Sequence, residues 1–236
     1  MSNAHRAFIG DMMIIRATTD IPKNTELTIW YLLPDPANQP MDFRHWGFEC
    51  CCAMCADARA TEPRVLWTRT RQREQIAMAL EDKCHERAEI LIERLAETYL
   101  RPLEQALRLG LWEPLTLIAG VYDGLKQQDE AREAVSRALA AVGFVIQGGV
   151  EGPLVVKKWG LVMDNLVVAW MILGKSLLKV APERAIQAER YARMAYLISV
   201  GEEASFDATY GMSLKVATAH ASFDGQVEGQ VEGWVV

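Results

Sequence analysis

The stretch that divides this chain is residues 46–55, Trp46-Gly47-Phe48-Glu49-Cys50-Cys51-Cys52-Ala53-Met54-Cys55, which packs four of the five cysteines into six consecutive positions. Cys50, Cys52 and Cys55 are spaced C-x-C-x-x-C, so one short loop can wrap three thiolates around a tetrahedral Zn²⁺ at about 2.3 Å each. Cys51 falls between two ligands and is expected to point away. Packing gives no reason to bury four thiols in six residues. A clustered, odd-numbered set reads as reduced and metal-binding rather than as a disulfide framework. Three thiolates leave one position of a structural zinc site open. Cys84, His45 and His85 are available to fill it, and spacing favours none of them.

Upstream of this stretch the chain reads as β-structure. Residues 11–18, DMMIIRAT, and residues 27–31, LTIWY, are rich in β-formers, and Pro22 and Asn24 between them sit where a chain reverses. The two segments are therefore expected to pair as a hairpin. The prolines of LPDPANQP enforce irregular backbone after it. Two strands make no stable sheet alone, so further polypeptide is expected upstream.

Downstream, from Arg64 onward, strand signals vanish and apolar residues recur at helical spacing. Ala88, Leu91, Leu95 and Tyr99 form one stripe, Leu103 and Leu107 follow Pro102, and Gly110 and Pro114 mark the next boundary. Leu115, Ile118, Ala119, Tyr122, Ala131, Val135 and Ala138 fit a 34-residue framework of paired helices. Trp170, Leu173, Gly174 and Leu177 repeat its first helix, and Ala188, Ala192 and Ala195 its second. Small residues at these positions let paired helices approach closely. The expected fold is mainly α: a TPR-like antiparallel helical array preceded by a small β-rich remnant.

Three ordered segments carry a family resemblance: N-A-x-R-x-F-I-G-D from Asn3, I-I-R-A-T-x-D-I-P-x-x-T-E-L-T-I-W-Y ending at Tyr31, and W-G-F-E-C-C-C-A-M-C. Together they resemble the end of a SET domain with its post-SET cysteine segment, of the SMYD-like type that carries a TPR-like helical region. Lys23-Asn24-Thr25-Glu26 replaces the family's usual glycine turn. The resemblance implies residues 1–45 as the C-terminal part of a SET domain, 46–60 as a post-SET zinc-binding segment, 64–222 as a TPR-like domain and 223–236 as a disordered tail.

The same resemblance implies the chemistry. Tyr31 falls on the tyrosine that lines the lysine channel, Phe48 on the aromatic that packs against the adenine of S-adenosylmethionine, and Asn3 on an asparagine of the N-H-S-C-x-P-N segment, near the cofactor. Cys50, Cys52 and Cys55 would hold a structural zinc, the family's fourth cysteine lying upstream. The implied function is the C-terminal portion of a SET-type S-adenosylmethionine-dependent protein-lysine methyltransferase. With the family's cofactor loop and Asn-His pair upstream of Met1, it is expected to be inactive alone. The competing expectation is a TPR-like protein-interaction scaffold with a vestigial SET remnant.

Composition bounds the partners. Half of the residues are apolar and the net charge is −6, with a pI near 5.3. That balance gives no electrostatic footprint for wholesale nucleic-acid binding. No apolar run approaches the roughly 20 residues of a membrane-spanning helix, and MSNAHRAFIGD has no apolar leader core. The charge balance favours proteins or small molecules as partners, and the resemblance implies a protein or peptide bearing a lysine, in the nucleus or cytoplasm. The basic run RVLWTRTRQR, with Arg64, Arg69, Arg71 and Arg73, reads as a solvated helix face, and Glu202, Glu203 and Asp207 as acidic surface that could line a groove for a basic peptide.

Overall fold

The computed structural model describes residues 2–30, 43, 46–100, 107–148 and 152–211. Strand β1, Ala4–Ile9, pairs antiparallel with β2, Met12–Ala17, in the register Ile9↔Met12 to Ala4↔Ala17. Gly10 opens the two-residue turn with φ 60°, the position where a type II′ hairpin takes glycine. The strand at 11–18 is thus present, but its partner is AHRAFI and not residues 27–31. Residues 25–30 form no strand. They are held by Thr28, whose carbonyl accepts the backbone N–H of both Asn3 and Ala4 at 3.1 Å.

Helices follow: α1 Ala53–Ala60, α2 Pro63–Glu81, α3 His85–Glu97, α4 Trp112–Gly124 and α5 Gln128–Ala141. After an inserted hairpin come α6 Leu166–Leu177, α7 Pro182–Val200 and the short α8 Phe206–Tyr210. Proline opens α2 and α7 at their first turns, where a missing N–H costs nothing. Gly201, at φ 95°, ends α7 in the left-handed conformation with its N–H on the Leu197 carbonyl. Helices pack as neighbours in order: α2 on α3, α4 on α5, α5 on α6 and α6 on α7. The first helix begins inside the cysteine stretch rather than at Arg64. Residues 101–106, including Leu103, lie outside the described residues, and Leu107 packs against the core without belonging to a helix.

All fourteen residues of the two paired-helix frameworks are buried. Ala119, Ala131, Ala138, Ala188, Ala192 and Ala195 are fully covered, so the paired backbones approach closely. The large residues between them, Trp170, Leu115, Ile118 and Leu139, each contribute about 2–3 kcal/mol of burial.

Between the two pairs the chain forms what the helical pattern does not anticipate. β3, Val145–Gln147, pairs antiparallel with β4, Val155–Lys158, so strand structure does recur after Arg64. Its glycine-rich connection hides the short strands in the sequence. Aromatic packing joins this hairpin to the array: Phe144 contacts Trp159 at 5.3 Å and Trp170 at 5.7 Å, and Trp170 contacts Tyr191 at 5.0 Å between centroids. Tyr191 also accepts the Val156 N–H at 3.1 Å. The β1–β2 hairpin docks on the far end of α7, where Arg16 donates to the Gly201 carbonyl at 2.8 Å.

Candidate metal centre and its surroundings

Cys52 is the N-cap residue of α1, and Cys55 stands in its first turn. N-cap and third helical residue face each other, the relation that a capping box uses, so C-x-x-C brings two sulfurs together at a helix start. Cys50 approaches from the preceding extended segment. The three Sγ atoms lie within 4.8 Å of one another. A tetrahedral site with 2.3 Å bonds has sulfurs about 3.8 Å apart, so small side-chain rotations would bring all three to one ion. Cys55 is buried, Cys50 and Cys52 are half-buried, and Cys51 is exposed and outside the triplet. A helix now supplies one ligand, where a loop alone is expected from the sequence.

The buried and half-buried thiols titrate differently. Burial, with the neighbouring thiols of Cys50 and Cys52, pushes Cys55 up to about 12. Burial also works to raise Cys52, but the amides of Cys55 and Met54 and the other two thiols outweigh it, and its pKa is lowered. Arg59 stabilises the entry to the site: it donates to the Cys50 carbonyl at 2.9 Å and pairs with Glu49 at 3.3 Å. The sequence reading missed Arg59, which is visible only once α1 is known to be a helix that carries it back over Cys50.

Among the described residues, no fourth metal-ligating side chain joins the triplet. Cys84 is exposed at the start of α3, its thiol 3.6 Å from the Asp82 carbonyl. His45 and Tyr31 lie outside the described residues. Phe48 stacks on buried Phe43 at 5.2 Å and 11°, and Trp46 packs 5.7 Å from Phe43, so an aromatic trio precedes the cysteines. Phe48 keeps 42% of its surface exposed. Asn3 spends its side-chain amide on the backbone: Oδ1 accepts Thr28 N–H at 2.8 Å, and Nδ2 donates to the Glu26 carbonyl at 2.9 Å. It fastens residues 26–28 to the hairpin.

Arg69 takes a different place from that expected, whereas the acidic set lies on the surface as expected and is paired there. Arg69 is buried, not solvated; it donates to Thr98 Oγ1 at 3.1 Å and the Thr98 carbonyl at 2.9 Å, and lies 3.7 Å from the Tyr99 ring centre. Arg73 pairs with Glu113 at 2.6 Å. Glu203 and Asp207 are engaged by Arg193, which also bonds Glu189 at 3.0 Å and covers the Phe206 ring, and Glu202 bonds Ser205. These groups hold α8 on α7.

No protein-family model matches the chain. It is similar to a protein of Gibberella zeae named "Methyltransferase", 31% identical over 216 residues, covering 86% of this chain and 30% of that protein. The chain therefore spans less than a third of the length of the curated relative it matches. The cysteine triplet is compatible with zinc.

Proposed function

We propose that this chain is the C-terminal portion of a SET-type protein-lysine methyltransferase that uses S-adenosylmethionine, with structural zinc at Cys50, Cys52 and Cys55 and a TPR-like helical domain after it. The observation that carries the reading is the cysteine triplet folded directly behind Phe48, in a chain similar to a protein named for methyl transfer. S-adenosylmethionine, when bound, supplies an electrophilic methyl on a sulfonium. Phe48 has exposed ring surface against which a flat heterocycle can pack. Tyr31 would orient the lysine amine toward that methyl, a positioning effect that lowers the entropic part of the barrier. Cys50, Cys52 and Cys55 would hold zinc in a structural role, fixing the segment carrying Phe48 relative to α1.

The test places this chain into the matching segment of the Gibberella zeae protein and measures methyl transfer from labelled S-adenosylmethionine to lysine peptides. The chimaera is expected to transfer methyl groups and to lose at least tenfold in turnover on Tyr31→Phe with its melting temperature unchanged. A folded, zinc-loaded chimaera with no transfer, beside an active parent, would refute the reading. It would leave the stacked pairs α4–α5 and α6–α7 as a protein-interaction scaffold, the second function their architecture supports.

A further inference from the structure

The outer face of α2 carries six exposed residues, Arg64, Trp67, Arg71, Glu74, Met78 and Glu81, spaced alternately three and four apart. That is the 3.5-residue period of a coiled-coil seam, and it lies opposite the buried row Leu66, Arg69, Ile76 and Ala79. Trp67 is 61% and Met78 62% exposed. Arg71 lies over the Trp67 ring at 5.4 Å, and none of the four charges makes an ion pair to a described residue.

The order of these residues has a symmetry. Read from the middle of the helix outward, each residue meets its complement at the equivalent position on the other side: Arg71 meets Glu74, Trp67 meets Met78, and Arg64 meets Glu81. A second α2 running antiparallel, about a two-fold axis at the helix centre, would face every arginine with a glutamate and each tryptophan with a methionine. Thioether and aromatic ring attract in such a contact. Because the two-fold is closed, the same patch serves both partners and no open chain of molecules results.

We propose that α2 is a self-association surface: two copies of this chain pair through antiparallel α2 helices in the register Arg64–Glu81, Trp67–Met78 and Arg71–Glu74. A single helix pair with two apolar layers and charged layers around them gives a weak dimer, at the low end of interface sizes. The pairing is independent of the zinc site and of the proposed methyl transfer.

Sedimentation equilibrium of the full chain over a range of concentrations tests it. The wild type shows a reversible monomer–dimer equilibrium that weakens with salt. Arg64→Glu and Glu81→Arg, each placing like charges opposite each other twice per dimer, weaken association about tenfold or more. The two substitutions together restore it. Within one chain these residues are 17 positions apart, about 25 Å along the helix, so restoration comes only from an antiparallel partner. Circular dichroism and zinc content stay at the wild-type values in all variants, because every altered side chain is exposed. A monomer at every concentration, a dimer indifferent to either single change, or a double variant no better than the singles would each overturn the proposal.

Discussion

Gly160 and Gly120 make opposite predictions for one substitution. Gly160 lies just after β4, where the chain crosses the end of α5. A Cβ there would stand 2.5 Å from the Val142 carbonyl oxygen, 2.5 Å from Phe144 Cδ2 and 2.7 Å from Phe144 N. Ordinary contact begins near 3.4 Å, so each is about 1 Å too close, and two of the three obstacles are backbone that no rotamer can move. Relief requires the Val142 carbonyl to retreat, which breaks its bond from Leu161 N at 2.9 Å. A lost hydrogen bond costs about 0.5–1.5 kcal/mol, and overpacking about 1–3 kcal/mol, so Gly160→Ala should destabilise by about 2–4 kcal/mol. Gly120 is exposed inside α4 with nothing within 4 Å of its Cβ position. Gly120→Ala removes backbone freedom from the unfolded chain and should stabilise by about 0.5–1 kcal/mol. Urea unfolding followed by circular dichroism reads both as midpoint shifts of opposite sign, and melting should move by about 2–4 °C per kcal/mol for a chain of this size. A neutral Gly160→Ala, or a Gly120→Ala more harmful than Gly160→Ala, would refute the packing of the inserted hairpin against α5.

Arg193→Met should release α8, since one guanidinium serves Glu189, Glu203, Asp207 and the Phe206 ring. Limited proteolysis should then cut after Val200 faster than in the wild type while the rest of the array resists. His5 should make the fold acid-sensitive. Burial, reinforced by Arg6 and only partly offset by Asp164, lowers its pKa below 6.5. A histidine depressed in the folded state contributes stability above its unfolded pKa and loses it as pH falls through the folded value. His5→Gln should therefore flatten the decline of urea midpoint below about pH 6.5, and an unchanged slope would count against the burial of His5. In metal-free protein, Cys52 should alkylate before Cys55, because its thiol ionises more easily; mass spectrometry of the modified peptides checks the order.

The helical pairs were legible because their signal is local and redundant: alanines at Ala131, Ala138, Ala188, Ala192 and Ala195 and large residues such as Trp170 recur at helical spacing, and burial follows that period. The cysteine triplet was legible for the same reason, C-x-C-x-x-C keeping three sulfurs close together on one short stretch of chain. The strand partner was not. LTIW is dense in β-formers, yet Asn3 ties Thr28 down with side-chain bonds that mimic a strand, while the less distinctive AHRAFI takes the ladder because Gly10 lets the chain turn back at once. Arg69 looked like surface because charge predicts exposure; its burial depends on Thr98 and Tyr99, brought near only by the α2–α3 packing.

Zinc at Cys50, Cys52 and Cys55 is the feature on which the proposed function rests. Elemental analysis of the purified chain by plasma mass spectrometry addresses it most directly. Close to one zinc per chain is expected, lost in Cys55→Ser and retained in Cys51→Ser. A well-folded chain without metal after growth in zinc, or one whose zinc survives Cys55→Ser, would contradict it.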